Sequence, residues 1–174
     1  MLDNGVRLIP VSADWAQEIW NYRGVFLEDG SSLDGTSGLE EASSFQEWYR
    51  LVQDNSCCET VRKGMVTATS FLAVAGEELV GMIQIRHSLN DYLRQFGGHI
   101  GYSVRPGQRR KGYASRMLAL ALEECGRMGL KQVLVTCDKD NEASRRTIVK
   151  NGGVLENEVP EGDGVTQRYW ISLS

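Results

Sequence analysis

The segment Val104-Arg105-Pro106-Gly107-Gln108-Arg109-Arg110-Lys111-Gly112-Tyr113-Ala114-Ser115 restricts this chain more than any other. Strand-like apolar residues stop at a proline turn. A basic, glycine-containing loop follows and opens directly into a helical pattern, in which Ala114, Met117, Leu118, Ala121, Leu122, Cys125 and Met128 recur at steps of three and four. A loop that enters a helix in this way aims several backbone N–H groups at one point. The helix dipole and the unpaired donors both favour an anion there, so the segment predicts a phosphate site. Gly112 lacks a Cβ and lets the backbone approach a bulky pyrophosphate, and Ala114 is small at the helix start. Arg105, Arg109, Arg110, Lys111 and Arg116 place five cations and no acid in twelve residues. Each charge-assisted bond to phosphate contributes about 1.5–3 kcal/mol, which favours a ligand over a merely solvated basic face.

The flanking sequence reads as alternating strands and helices. Val6 to Val11 reads as a strand, and Ser12 and Asp14 as caps of a helix through Trp15, Ile19, Trp20, Tyr22 and Phe26. Leu27 to Glu41 reads as a long loop. Ser44 with Glu47 forms a capping-box pattern ahead of a short helix. Thr67–Ala75 and Leu79–Ile85 flank a Gly76 turn as a hairpin, and His99–Val104 is the strand before the basic loop. Gly129 stops the helix that follows. A buried-type strand, Lys131–Cys137, comes next, then a helix capped by Asn141 and ended by Gly152-Gly153, then strands near Val154–Val159 and Gln167–Leu173. The order β-α-α-β-β-β-α-β-α-β-β predicts an α/β (α+β) fold with a mixed sheet and helices on both faces.

Composition removes several classes of function. The chain has 174 residues, 41% of them hydrophobic, which suits one domain over residues 1–174. A formal net charge of −4 argues against a nucleic-acid partner, which needs a basic face. No apolar run reaches the ~18 residues of a membrane span, so no membrane partner is expected. The start Met1-Leu2-Asp3-Asn4-Gly5 carries no secretory pattern, so a cytoplasmic location is expected. Cys57, Cys58, Cys125 and Cys137 form no C-x-x-C pair and have only His87 and His99 as companions. The spacing suits buried free thiols rather than a metal or disulfide framework. The strings Gly-x-x-x-x-Gly-Lys-Ser/Thr and Gly-x-Gly-x-x-Gly are absent, which excludes a P-loop phosphotransferase and a Rossmann dinucleotide site.

Arg109-Arg110-Lys111-Gly112-Tyr113-Ala114 fits the pattern Arg/Gln-x-x-Gly-x-Gly/Ala, between a strand and a helix, with Asn141-Glu142-Ala143-Ser144 downstream. In this it resembles the acetyl-CoA-binding motif of the GNAT superfamily of N-acetyltransferases. The resemblance implies a mostly antiparallel, splayed sheet of about seven strands. It implies acetyl-CoA as co-substrate, no metal, and acetyl transfer to an amine in a ternary complex. It places the pyrophosphate on Arg109, Arg110, Lys111, Gly112, Tyr113, Ala114 and Ser115. The pantetheine arm pairs with Tyr102, Ser103 and Val104, with Asn141 and Ser144 beside it. A splayed strand also accounts for Gly101 and for a bulge.

Acetyl transfer needs a positioned amine, a donor for the thioester oxygen, and routes for two protons. The donor is expected near the Val104 N–H. For the base, His99 starts the ligand-pairing strand and has an ordinary pKa of about 6.5; it reads more readily as a structural tie between strands. His87 is the weaker candidate. The superfamily commonly has a tyrosine four residues after the Ser144 position to protonate the departing thiolate. Ile148 stands there in this chain, which leaves Tyr102, Tyr92 or water.

The loops expected to wall the acceptor are acidic. One contains Glu28, Asp29, Asp34, Glu40 and Glu41, the other Glu156, Glu158, Glu161 and Asp163. One sign of charge in a cleft concentrates the other. This points to a cationic small-molecule or peptide amine, with Glu28, Asp29, Glu40 and Glu41 as binding groups. The alternative is a non-catalytic acyl-CoA sensor on the same scaffold. Trp48 or Trp170, if exposed, would suit a homodimer contact.

Overall fold

The structure, a computed structural model, describes residues 4–174. The leaderless reading of Met1, Leu2 and Asp3 therefore lies outside the described residues. The strands are β1 (Val6–Pro10), β2 (Ala68–Ala75), β3 (Glu78–Arg86), β4 (Ile100–Val104), β5 (Gln132–Asp138), β6 (Val154–Glu161) and β7 (Gly164–Ser172). The helices are α1 (Ala16–Asp29), α2 (Phe45–Asn55), α3 (Tyr113–Arg127) and α4 (Glu142–Lys150). Among the described residues no helix is long and apolar enough to cross a membrane.

Strand pairing divides the seven strands into two antiparallel groups, β1-β2-β3-β4 and β5-β7-β6. They touch where the His99 N–H donates to Leu134 O at 2.7 Å, just before β4. Beyond that bond β4 and β5 diverge, and the sheet opens as a V. This is the splay that the resemblance implies, and the fold is the mixed, splayed α+β arrangement of about seven strands.

Two apolar layers clamp the first group of strands. One face packs Met117, Leu118, Ala121, Leu122 and Cys125 of α3 against Ala73, Val80, Ile83 and Ile85. The other packs Ile19, Tyr22 and Phe26 of α1 and Trp48 of α2 against Leu72, Val74, Leu79 and Met82. Strand residues alternate between faces, as a doubly covered sheet requires. The alternation breaks once. Ala73 pairs with Gly81 and Val74 with Leu79, so Val80 is an extra residue in β3. The bulge thus lies in β3; β4 itself runs against β3 without a shift. It keeps Gly81 under α3, where a Cβ would sit 2.7 Å from the Met117 side chain.

The helix ends follow local rules with two exceptions. The Gly129 N–H donates to Gly126 O at 3.0 Å and the Leu130 N–H to Cys125 O at 3.1 Å, a Schellman stop. Gly152 and Gly153 repeat it on α4, donating to Val149 O and Ile148 O, both at 3.0 Å. Ser44 Oγ accepts the Glu47 N–H at 3.1 Å, but the Glu47 carboxylate turns to Ser43 Oγ instead of closing the box. Ser12 makes no side-chain cap, and a short 3-10 turn over Ala13–Trp15 leads into α1.

Three further expectations are corrected. Helix α1 runs to Asp29, so the loop starts at Gly30, in the left-handed conformation. Trp48 is 1% exposed with its Nε1–H on Thr36 O at 2.6 Å, so it serves the core and no partner. Cys57 and Cys58 are exposed, and only Cys125 and Cys137 are buried; all four thiols are free.

Candidate acetyl-CoA cleft and acceptor site

The V between β4 and β5 forms a cleft of about 980 Å³. Tyr102, Ser103 and Val104 form one wall, and Thr136, Cys137 and Asp138 the other. At the mouth, Pro106–Gln108 makes a 3-10 turn, and the chain then passes through two left-handed residues, Arg110 (φ 63) and Gly112 (φ 80). Left-handed residues at this spacing turn successive N–H groups inward, as in an anion nest. Arg110 is not a glycine, so the loop holds strain of about 1–3 kcal/mol at this point. A Cβ on Gly112 would meet nothing closer than Asn4 Nδ2 at 3.6 Å. The positive φ, and the space on its open side, account for the glycine.

Gly112 caps α3 without a side-chain bond, and the first turn holds no acid. The first intrahelical bond joins the Arg116 N–H to Gly112 O at 3.2 Å, so the Tyr113 and Ala114 N–H groups precede it at the cleft mouth. These donors and the local cations fit a pyrophosphate. The cationic side chains diverge, however. Arg109 Nε donates to Val104 O at 3.2 Å, its guanidinium lies 5.7 Å from the centre of the Phe26 ring, and its Nη1 is 3.5 Å from Asp29 Oδ2. Lys111 Nζ donates to Gln108 Oε1 at 2.7 Å and lies outside the cleft lining, whereas Arg109 and Arg110 both line it.

Strand β4 divides its backbone between neighbours. The Arg86 N–H donates to His99 O and the Arg105 N–H to Val80 O, at 2.7 and 2.8 Å. This antiparallel alternation turns Gly101 and Ser103 toward β3 and the N–H and C=O of Tyr102 and Val104 into the gap. Ser103 is buried, and its Oγ lies 2.9 Å from Tyr22 OH, so its side chain joins β4 to α1. Gly101 has a packing reason: a Cβ there would lie 3.1 Å from Arg86 Nη2 and 3.2 Å from Gly35 Cα, in the loop above.

The first turn of α4 reaches the same cleft. Asn141 Oδ1 caps the Ser144 N–H at 3.1 Å, leaving its amide NH2 at the cleft. Ser144 Oγ and Tyr102 OH are 2.7 Å apart. Burial pushes the Tyr102 phenol up to about 12, so it keeps its proton. Ile148 is fully buried, and its Cγ2 would lie 2.5 Å from a Cβ on Gly153. The position of the superfamily tyrosine is thus filled by packing, and Tyr102 and Ser144 supply hydroxyls from elsewhere.

His99 is buried and lies outside the cleft lining. Its Nδ1 accepts the Leu134 N–H at 2.9 Å, and burial lowers its pKa to about 4, aided by Arg86 and Arg94. A neutral imidazole with its lone pair engaged ties β4 to β5. His87 Nε2 sits 2.7 Å from Thr69 Oγ1, also outside the cleft.

At the vertex of the V the lining changes to Asp34, Gly35, Arg86, Tyr92, Phe96 and Glu161. Tyr92 and Phe96 belong to the connection before β4, which contains a π-turn over Leu93–Gly97; their rings are 5.5 Å apart. Glu161 Oε2 accepts from Thr166 Oγ1 at 2.6 Å. Of the acids named from sequence, Glu28, Asp29, Glu156, Glu158 and Asp163 line neither this cleft nor the space beside it, and Asp29 faces Arg109. Glu40 and Glu41 line a second space of about 550 Å³, which shares Ser32, Asp34, Gly35, Arg86, Tyr92 and Leu93 with the first. Sequence reasoning missed Gly35, Arg86 and Phe96. Only the Asp34-Gly35 turn pair carried a local signal.

Comparison with known proteins adds to this geometry. The profile of the acetyltransferase (GNAT) family matches residues 38–152. Among solved structures, RimL, a ribosomal L7/L12 alpha-N-protein acetyltransferase in complex with coenzyme A, aligns at 16% identity over 98% of this chain and 96% of its own, with a TM-score of 0.75. Mycobacterium smegmatis RimJ in complex with CoA-disulfide aligns at 21% identity over 96% and 81%, with a TM-score of 0.72. Spermidine N-acetyltransferase from Vibrio cholerae, in complex with CoA and spermine, aligns at 15% identity over 98% and 96%, with a TM-score of 0.67. At such identities the likeness is one of fold. Comparison with curated sequences finds no match. The family match covers well over half of the chain, and the chain therefore belongs to the GNAT family of acetyl-CoA-dependent acetyltransferases.

Proposed function

We propose that the chain moves the acetyl group of acetyl-CoA to an amine nitrogen in a ternary complex, inside the V between β4 and β5. One observation carries this reading. A nest of N–H donors at the start of α3 opens onto a gap whose β4 edge presents the backbone groups of Tyr102 and Val104. In this reading the pyrophosphate lies on the Gly112–Ala114 amides, and the arm pairs with the outward edge of β4. Arg110 lies beside the phosphates. Arg109, also in the lining, ties the loop to α1 through Asp29 and Phe26. The thioester then lies near the vertex, where the gap-facing N–H groups of Ile100 and Tyr102 are the donors for its oxygen, further in than the Val104 N–H expected from sequence.

The acceptor nitrogen reaches the vertex from the side of Asp34, Tyr92, Phe96 and Glu161. Its attack forms the N–C bond and breaks the C–S bond. The proton lost by the amine passes to a carboxylate, Glu161 or Asp34, directly or through water. These replace His99, whose lone pair is occupied. The departing thiolate is met by the Tyr102–Ser144 hydroxyl pair. A phenol at about 12 acts as a hydrogen-bond donor more than as an acid, which suffices for a thiol whose pKa is about 8.5. Asp34 and Glu161 at the vertex, with Glu40 and Glu41 in the adjoining space, favour a cationic acceptor. The Vibrio cholerae relative with spermine and the ribosomal-protein relatives bracket the candidates, small polyamine and peptide. Release of free CoA thiol, followed with acetyl-CoA and a panel of amines, tests the reading. Amine-dependent release is expected; acetyl-CoA binding without release under every amine would leave a sensor in place of an enzyme.

A further inference from the structure

Arg86 ends β3 at the vertex, in the wall shared by the two clefts. Its Nε donates to Gln84 Oε1 at 3.1 Å, and its Nη1 donates to Gly97 O at 2.9 Å and Gly98 O at 3.3 Å. These bonds fix the plane of the guanidinium. The other terminal nitrogen, Nη2, has no hydrogen bond among the described residues. It lies against the strand that would carry the arm, 3.1 Å from where a Cβ on Gly101 would be. No carboxylate among the described residues comes within ion-pair distance of Arg86. Asp34 acts on it only from further away, and its own Oδ2 accepts from Ser32 Oγ at 3.0 Å. Nη2 is not sealed from solvent, so a guanidinium held in place by its other nitrogens offers the cleft a fixed donor edge for an entering oxygen atom.

The adjoining space repeats the pattern. Asn55 is 4% exposed and lines the second cleft. Its Oδ1 accepts the Arg62 N–H at 3.1 Å, whereas its Nδ2 has only the Met65 thioether, at 3.3 Å, as acceptor. Sulfur of this kind is a weak acceptor. Two fixed donors, in spaces that share a wall, therefore lack a good oxygen. A simple polyamine brings none. A peptide N-terminus brings one on the carbon next to its amine and further carbonyls along its chain.

We propose that Arg86 Nη2 donates to the carbonyl oxygen beside the reactive amine, that the acceptor is a peptide N-terminus, and that its next residues occupy the second cleft with Asn55 donating to a later carbonyl. This rests on the acetyl-transfer reading above and narrows its acceptor. Glu40 and Glu41 in that cleft then favour a basic side chain in the peptide.

The wild-type enzyme provides the first test. Alaninamide and isopropylamine differ in a carboxamide replaced by a methyl group, and their kcat/KM values, corrected for the fraction of neutral amine, give a ratio. The ratio is expected to exceed ten and to grow with a short Ala-Lys peptide. Arg86→Met is expected to bring it near one, with Arg86→Lys in between. Asn55→Leu is expected to remove the gain from the added residue only. A wild-type ratio near one overturns the proposal even if Arg86→Met fails to fold. So does an equal loss toward both amines in the Arg86 variants, which would mark an oxyanion or structural role. Absence of any acetyl-CoA-induced rise in Tm would instead overturn the acetyl-transfer reading itself.

Discussion

Replacing Gly112 separates the backbone requirement of the loop from its contact with phosphate. The residue sits at φ 80, and a Cβ there would be 3.6 Å from its nearest protein neighbour. Gly112→Ala therefore causes no clash within the protein. It costs about 1–2 kcal/mol for an L-residue in the left-handed region, which lowers the Tm of a chain this size by roughly 2–4 °C per kcal/mol. Gly112→Asn tolerates that region better and is expected to lose less stability. Both place a side chain where the ligand would approach. Displacing the pyrophosphate from one N–H donor forfeits about 1.5–3 kcal/mol, or roughly 10- to 150-fold in affinity. Calorimetric titration of CoA into the three proteins, alongside their melting curves without ligand, reads both effects. The expected pattern is a similar drop in CoA affinity for Ala and Asn despite their different stabilities. CoA affinity that follows stability, or stays unchanged, would refute the placement of the phosphate.

Other outcomes follow from the same geometry. Gly35→Ala drives a Cβ to 2.2 Å from Gly101 O at φ 70, so a loss above about 2 kcal/mol is expected from strain and backbone displacement together, read as a fall in Tm. His99 stays neutral in the folded chain down to about pH 4 while the unfolded chain protonates near 6.5. The folded state therefore binds fewer protons, and stability falls as pH drops through that window, by at most about 1.4 kcal/mol per unit. Urea melts of the wild type and His99→Asn from pH 7 to pH 4 should show a flatter dependence in the variant. Tyr102→Phe should lower kcat while leaving CoA affinity within about twofold, because the phenol meets the sulfur only as it leaves. Glu161→Gln should lower kcat by about 10²-fold at saturating acetyl-CoA if Glu161 is the base, and Asp34→Asn should do so if that role is Asp34's.

The parts legible in sequence were those whose cause is local. The 3.6-residue pattern of α3, the glycine stops of α3 and α4 and the Ser44 and Asn141 caps depend on neighbours a few residues away, and all appear as expected. The loop was legible because its conformation is written in Pro106, Gly112 and the first turn of α3. The strain at Arg110 was not, since nothing in an arginine announces a positive φ. The misread residues have partners far along the chain. Arg109 keeps its place at the cleft, but its contacts with Asp29 and Phe26, brought beside it by α1, could not be read from its neighbours in sequence. His99 looks like a base until the Leu134 N–H occupies its lone pair. Trp48 looks exposed in a short helix until the loop above it supplies Thr36 O. Arg86 could not be recognised at all, because its meaning lies in which of its nitrogens are already bonded.

Amide hydrogen exchange with and without acetyl-CoA tests the central claim most directly, since it reports on the individual donors invoked here. The account predicts that saturating acetyl-CoA slows exchange at Gly112, Tyr113 and Ala114 and at the gap-facing Tyr102 and Val104, with Gly101 and Ser103, already turned to β3, changing little. Tight binding of acetyl-CoA with unchanged exchange at these amides, and new protection elsewhere, would contradict it.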